Sequence, residues 1–289
     1  MNAALSNASA SVAETWSTTP SRTVEAAGTT FAYRRLGSGG GLPLVMLNHW
    51  GATLDNFDPR ILDGLAQNRT LFALDYRGVG ASGGDAPLTV AETATDVLAV
   101  LKALGLARID LMGFSLGGFV AQDMLRQAPD LARKVILTGT GPAGGPGINK
   151  VGAVSGPLIL KGMLTLKDPK TYLFFTSSKV GRGAAKAFLQ RLKERRRDRD
   201  KPITIAAFRR QLRAIEAWGN LPPQDLGAIQ QPVLVANGDH DIMVPSANSI
   251  DMANRLSNAE LVLYPDAGHG GIFQYHEVFV PKALKFLDN

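Results

Sequence analysis

The chain of 289 residues contains no cysteine and only four histidines. Without cysteine there can be no disulfide, no thiolate nucleophile and no cysteine-ligated metal site. Long apolar runs are also missing, because no stretch approaches the roughly 20 residues that a membrane-spanning helix needs. The first residues lack the basic segment and apolar core of a secretory signal. We therefore predict a cytoplasmic protein that does not contact membranes.

Acidic residues are in the minority, since 31 Lys and Arg against 25 Asp and Glu give a formal net charge of +6. Residues 181–201 hold nine of the basic side chains and only three acidic ones. Such a run is compatible with nucleic-acid binding, but no aromatic residues interleave with its arginine cluster and no known binding motif is present. We interpret it as the solvated face of a surface helix and expect no nucleic-acid partner.

Strand-like and helix-like segments alternate along most of the chain, which is typical of a mainly parallel sheet with helices on both faces. Residues 1–20 are rich in Ala, Ser, Asn and Thr and predict a disordered tail. Residues 21–140 and 222–289 carry the alternating pattern. Between them, residues 141–221 show amphipathic helical stretches, one of them over 183–197, and no strand. We expect one α/β domain in two parts with a helical insertion.

Residues 113–117 read Gly-Phe-Ser-Leu-Gly and lie between a short apolar run and a helix-like segment. Strand, tight turn and helix are the setting of a nucleophile elbow, in which glycines leave room for a sharp turn. The serine oxygen would then stand at the carboxyl end of the strand, against the N-terminus of the helix. We predict that Ser115 is a nucleophile.

A serine hydroxyl is a weak nucleophile at neutral pH and needs a base within hydrogen-bond reach. Of the four histidines, His269 lies in a loop directly after the last predicted strand, at the same sheet edge as Ser115. His269 is therefore the predicted base. Its carboxylate partner would come from the loop after the preceding strand, where Asp239 and Asp241 are both available. The chain order Ser, Asp, His is typical of one class of serine hydrolases.

Residues 238–245 read Gly-Asp-His-Asp-Ile-Met-Val-Pro, and residues 75–82 read Asp-Tyr-Arg-Gly-Val-Gly-Ala-Ser. Together with the elbow, these segments resemble the α/β-hydrolase superfamily, in its branch with a helical cap, over residues 30–287. The resemblance implies an α/β-hydrolase fold in which residues 141–221 are the cap. It favours Asp241 over Asp239 as the acid and makes residues 75–82 a structural loop. It implies no metal and no organic cofactor.

The same resemblance places an oxyanion hole. One donor would be the backbone N–H of Leu116, and the other would come from the loop after the third strand. Many relatives carry His-Gly in that loop, whereas this chain has Asn48 and His49. If these two residues replace the family's pair, the second donor is the backbone N–H of Trp50.

The implied reaction is acyl transfer to water at a small-molecule ester or lactone, through a serine acyl-enzyme. A serine nucleophile argues against the haloalkane dehalogenases and epoxide hydrolases of the superfamily, whose nucleophile is aspartate. We expect the cap to set substrate choice and not the chemistry, with Met163 and Phe174 in a pocket for an apolar substrate group. Two alternatives stay open: a cofactor-free haloperoxidase or perhydrolase reaction at the same residues, and a small-molecule receptor.

Overall fold

The computed structural model describes residues 14–289, in which eight strands form a single sheet. The strands are β1 Arg22–Ala26, β2 Thr29–Leu36, β3 Leu44–Leu47, β4 Leu71–Leu74, β5 Ile109–Phe114, β6 Ala132–Thr138, β7 Val233–Gly238 and β8 Ala259–Tyr264. Their order across the sheet is β1-β2-β4-β3-β5-β6-β7-β8. β2 runs antiparallel to both of its neighbours, and all other pairs are parallel. The predicted mostly parallel α/β fold is confirmed.

Helices connect the strands and flank the sheet. In chain order they are α1 Pro59–Leu65, α2 Val90–Ala103, α3 Leu116–Gln127, α4 Val151–Leu164, α5 Lys170–Leu173, α6 Lys179–Arg191, α7 Ile205–Gly219, α8 Ala247–Arg255, α9 Gly271–Gln274 and α10 His276–Asp288. α2 packs against α3, and α1 packs against α10. Within residues 14–289, no helix combines the length and the apolar character that crossing a bilayer requires.

β5 lies in the middle of the sheet between β3 and β6, and all six of its residues are buried. A parallel strand that is covered by helices on both sides meets no solvent on either face, so its sequence is mostly apolar instead of alternating. The strand ends at Phe114, directly before Ser115. The predicted nucleophile therefore stands at the carboxyl edge of the sheet, near its centre.

The segment between β6 and β7 contains α4, α5, α6 and α7, which we call the inserted helices. The helix predicted over residues 183–197 is α6, which begins at Lys179 and ends at Arg191. Arg191 forms a buried ion pair with Asp58 of the core, with 2.6 Å between Nη2 and Oδ2. Removal of one partner of such a pair leaves an uncompensated buried charge and typically costs about 3–5 kcal/mol.

The arginine-rich run continues to contact the core beyond α6. Arg195 is buried and donates a hydrogen bond to the carbonyl of Thr19 at 2.8 Å. Arg199 lies 3.3 Å from a carboxylate oxygen of Asp55. The interpretation of this run as a solvated helix face is therefore wrong for Arg191 and Arg195. Those two side chains attach the inserted helices to the core.

Residues 14–20 pack on the core. Trp16 is 2% exposed and lies edge-on to Phe57, with 5.8 Å between the ring centroids. The guanidinium of Arg34 lies 5.2 Å from the centroid of the Trp16 ring. The prediction of a disordered tail over residues 1–20 is therefore wrong for residues 14–20. Its remaining part, residues 1–13, lies outside the described residues.

Residues 75–82 form a closed loop after β4. The hydroxyl of Ser82 donates to the carbonyl of Asp75 at 3.0 Å and accepts the backbone N–H of Ala32 at 2.9 Å. Arg77 pairs with Asp96 of α2 at 2.5 Å. These contacts attach the loop to β2 and α2, so the polar residues of the loop stabilise the fold.

Candidate active site

Ser115 occupies the turn between β5 and α3, where its backbone has φ 56° and ψ −117°. A non-glycine residue with positive φ is strained, and such strain is typical of a nucleophile elbow. Neighbouring groups hold the turn in place. The Ser115 N–H donates to the carbonyl of Thr138 at 2.9 Å, and the Thr140 hydroxyl donates to the Ser115 carbonyl at 2.9 Å. The serine is thus fixed between the central strand and its helix.

The two glycines of the pentapeptide are required by close backbone approach. A Cβ on Gly113 would lie 2.3 Å from the carbonyl oxygen of Gly117. A Cβ on Gly117 would lie 2.2 Å from the carbonyl oxygen of Leu47. Since the atoms in the way belong to the backbone, a side chain at either position would force the turn open.

His269 and Asp241 form a buried pair in the loops that follow β8 and β7. Nδ1 of His269 lies 2.7 Å from Oδ2 of Asp241. A carboxylate only accepts, so Nδ1 carries the proton and Nε2 is free to receive one. The other carboxylate oxygen of Asp241 accepts the backbone N–H groups of Met243 at 2.8 Å and Val244 at 3.0 Å. The carboxylate is therefore fixed in its orientation toward the imidazole.

The alternative acid, Asp239, has a different partner. Its Oδ1 lies 2.5 Å from Nδ1 of the exposed His240 and accepts the backbone N–H of Ala267 at 3.3 Å. The side chain of Asp239 therefore contacts its own loop and the loop after β8, and it does not contact the imidazole of His269. The structure places Asp241, and not Asp239, beside His269.

The loop after β3 leaves one backbone donor unused. The His49 N–H donates to the side-chain oxygen of Asn48 at 2.9 Å, and the Gly51 N–H donates to Oε1 of Gln211 at 2.9 Å. The N–H of Trp50 donates to no group among the described residues, and neither does that of Leu116 at the start of α3. These are the two N–H groups that the sequence suggested for an oxyanion hole.

Trp50 is anchored to an inserted helix. Its indole Nε1 donates to the carbonyl of Phe208 in α7 at 2.8 Å, and the two rings stack with centroids 4.2 Å apart. Gly51 has φ 76°, and a Cβ there would come within 2.8 Å of the Phe208 ring. The loop that carries the unused N–H therefore lies tightly against α7.

His49 is a site residue that the sequence analysis assigned no role. It is buried, and its Nδ1 donates to the carbonyl of Trp50 at 2.8 Å, while its Nε2 has no hydrogen-bond partner among the described residues. Its ring lies edge-on to those of Phe114 and Phe174. Burial, together with the positive charge of Lys170, lowers the pKa of His49 to about 3. The imidazole is therefore neutral at physiological pH.

Ser115 and His269 both line a cavity of about 180 Å³. Much of its other lining is apolar: Ile159, Leu173, Phe174 and Phe208 come from the inserted helices and the loops beside them, and Met243 comes from the loop after β7. Its one lysine is Lys170, whose Nζ lies 3.5 Å from Asp168. Within residues 14–289, no group of three His, Asp or Glu side chains is placed to hold a metal ion.

The two predicted pocket residues differ in position. Phe174 lines the cavity and is 4% exposed. Met163 does not line it and is 66% exposed, so its prediction as a pocket residue is wrong. The residue of α4 that lines the cavity is Ile159, one helical turn earlier on the same face. Met163 lies about 6 Å further along the helix, beyond the cavity.

A serine at an elbow in the middle of a mostly parallel sheet is the architecture of the α/β hydrolases. The sequence profile of the alpha/beta hydrolase fold family matches residues 43–274. The chain belongs to this family, as the resemblance implied, and is a hydrolase.

Known proteins resemble the chain over nearly its whole length. An alpha/beta hydrolase fold protein from Chitinophaga pinensis superposes with a TM-score of 0.90 at 39% identity, covering 96% of this chain and 100% of that one. A pimeloyl-(acyl-carrier protein) methyl ester esterase from Nitrosomonas europaea is 27% identical, over 84% of this chain and 94% of that protein. A non-heme chloroperoxidase from Streptomyces lividans is 28% identical, over 90% and 96% respectively.

Proposed function

We propose that the protein hydrolyses a carboxylic ester or lactone through an acyl-enzyme on Ser115. One observation carries the proposal: Ser115 at its elbow and His269, which is paired with the buried Asp241, line the same cavity. A serine, a neutral imidazole with a free Nε2 and a carboxylate that fixes its tautomer are the parts that acyl transfer needs. The relative named as a methyl ester esterase agrees with this reaction class.

In the first half-reaction, Oγ of Ser115 attacks the carbonyl carbon while Nε2 of His269 takes the hydroxyl proton. The carbonyl oxygen becomes an oxyanion, and the unused N–H groups of Trp50 and Leu116 donate hydrogen bonds to it. Asp241 stabilises the imidazolium that has formed. The C–O bond of the ester then breaks, and His269 returns the proton to the leaving alcohol.

In the second half-reaction, water attacks the acyl-enzyme while His269 takes one of its protons. The tetrahedral intermediate uses the same two N–H donors. It collapses to release the carboxylic acid, and His269 returns the proton to Ser115. For a lactone, the alcohol stays attached to the acyl group throughout, so the single product released in this step is a hydroxy acid.

The lining of the cavity supports an apolar group on the substrate. Ile159, Leu173 and Phe208 offer apolar surface beside Ser115, and they come from the inserted helices. We propose that these helices act as a cap that selects the substrate, as ligand sites of open α/β sheets lie beyond the carboxyl ends of the strands.

The test uses short p-nitrophenyl esters and a fluorophosphonate. The unmodified protein should turn over the esters many times and take up one fluorophosphonate per chain, on Ser115. Ser115→Ala should lose hydrolysis by several orders of magnitude at unchanged thermal stability. Ser257→Ala, at an exposed serine, is the matched control and should keep both properties. Labelling at another residue, or a single turnover followed by arrest, would contradict the proposal; arrest would favour a receptor.

A second candidate reaction rests on the similarity to the chloroperoxidase. Hydrogen peroxide would replace water in the second half-reaction, so that attack on the acyl-enzyme forms a peracid and frees Ser115. The test compares peracid and carboxylic acid production from one ester at increasing peroxide concentration. A peracid yield that stays negligible as peroxide rises would exclude this reaction.

A further inference from the structure

A second cavity lies beside the first and is lined by basic side chains. It measures about 540 Å³, and the two cavities share Leu173. Its lysine and arginine side chains are Lys161 of α4, Lys167 of the loop after α4, and Arg182 of α6. The exposed His240 also lines it and is already paired with Asp239, with 2.5 Å between Nδ1 and Oδ1. No Asp or Glu of residues 14–289 lines it. The volume falls in the range typical of small-molecule sites, so a whole ligand fits among these charges.

The three cations have no carboxylate partner. Among the described residues, neither Lys161 nor Lys167 nor Arg182 forms an ion pair. Instead, Nζ of Lys161 lies 4.5 Å from the centroid of the Tyr172 ring, and Arg182 donates to the carbonyl of Ser177. These contacts position the two cations and leave their charges unbalanced.

Some other basic residues between β6 and β7 are paired with acids. Arg191 pairs with Asp58, Arg195 pairs with Asp198, and Lys170 lies next to Asp168.

Neutral donors complete the lining. Thr171 and Ser177 line the cavity, and their hydroxyls form no hydrogen bond among the described residues. The nearby acid Asp266 is already engaged, because it accepts hydrogen bonds from Thr176 at 2.8 Å and Ser178 at 2.6 Å. Three unpaired cations and free hydroxyls are the donor set that a phosphoryl group uses, since it carries nearly two negative charges and three acceptor oxygens.

We propose that this cavity binds a phosphoryl group through Lys161, Lys167 and Arg182. The site lies outside the proposed ester-hydrolysis site and does not depend on it. The phosphoryl group could belong to a soluble phosphate ester or to a lipid headgroup. Leu160 and Leu164, on the same helix as Lys161, are 54% and 77% exposed. Exposed apolar side chains beside the cations could contact a lipid surface, so the test includes lipid vesicles.

The soluble arm measures pyrophosphate binding by calorimetry at constant ionic strength. A triple variant, Lys161→Gln, Lys167→Gln and Arg182→Gln, should weaken binding at least about tenfold, because charge-assisted hydrogen bonds are lost. The matched control is the triple variant Lys150→Gln, Lys179→Gln and Lys186→Gln. It removes the same charge from exposed positions between β6 and β7 that do not line the cavity, and it should bind like the unmodified protein.

The lipid arm measures co-sedimentation with phosphatidylcholine vesicles that contain or lack phosphatidic acid. Binding that needs phosphatidic acid and is lost in the first triple variant alone identifies a lipid headgroup. Pyrophosphate binding without vesicle binding identifies a soluble ligand. In the unmodified protein, the bound probe should also protect Lys161 and Lys167 from an amine-reactive ester, read by peptide mass. Binding of neither probe, equal loss in both triple variants, or no protection would overturn the proposal.

Discussion

The backbone N–H of Gly51 donates a hydrogen bond to Oε1 of Gln211, 2.9 Å away, and so joins the loop after β3 to α7. Trp50, the preceding residue of this loop, also contacts α7, because its indole donates a hydrogen bond to the carbonyl of Phe208. The inserted helices therefore do more than cover the cavity. They hold the segment whose free N–H we assign to the oxyanion hole, which departs from our expectation that the cap leaves the chemistry alone.

Gln211→Ala should lower kcat and leave KM little changed, because the oxyanion forms only in the transition state. Loss of a whole donor typically costs about 10²–10³-fold in kcat, so a displaced donor should cost roughly tenfold. Gln211→Glu, which keeps an acceptor oxygen, should retain more activity. The control is Arg213→Ala, at an exposed position of the same helix. A rise in KM with unchanged kcat would show that Gln211 acts on substrate binding instead.

Asp241→Asn should lower kcat by roughly three to four orders of magnitude. An amide at the position of Oδ2 would donate to Nδ1 of His269 and force the proton onto Nε2, where a base is needed. Asp239→Asn is the matched control, since its partner is the exposed His240, and it should cost little. The measurement is kcat on one ester for both variants. A larger loss in Asp239→Asn would refute the assignment of the acid.

Ser115, His269 and Asp241 could be found from the sequence because their signals are local. The elbow is contained in five residues. The two loops follow strands that the sequence predicts to be parallel to the elbow strand, so all three segments lie at the same edge of the sheet. The contact of Gly51 with Gln211 joins residues 160 positions apart, and no local pattern reports it. For the same reason, the sequence could not show that Arg191 meets Asp58 in the core.

Helical periodicity also has a limit that Met163 illustrates. It identifies the face of α4 that carries Ile159 and Met163, but it does not tell where along that face the cavity ends. The sequence placed His49 in the loop after β3 but did not show that its side chain is part of the site, because its burial depends on Phe114 and Phe174 from distant segments.

The neutral His49 should make the folded protein sensitive to acid. Its pKa is about 3 in the fold against an ordinary value of 6.5, so between these values the unfolded chain binds a proton that the folded protein does not. The free energy of unfolding should therefore fall as pH is lowered from 6.5, with a contribution of up to about 1.4 kcal/mol per pH unit.

His49→Gln removes this titration, so the free energy of unfolding should depend less steeply on pH between about 4 and 6. The measurement is urea denaturation across that range. The control is His240→Gln. The exposed Asp239 raises the pKa of His240, so loss of His240 should not flatten the dependence of the free energy of unfolding on pH. An unchanged slope in His49→Gln would mean that the buried imidazole is protonated in the fold.

Ile159→Ala should change which acyl groups the protein prefers. Ile159 lines the cavity at Ser115, so its truncation enlarges the space for the part of the substrate that does not react. The preference for longer over shorter acyl chains should rise, with each methylene mismatch worth roughly 1–3 kcal/mol in relative kcat/KM. Met163→Ala, on the same face of α4 but exposed, should leave the acyl profile unchanged. The measurement is kcat/KM for both variants over a series from acetate upward. An equal loss across the whole series in Ile159→Ala would mean that this side chain supports the packing of α4, and that the selecting surface lies elsewhere in the cavity.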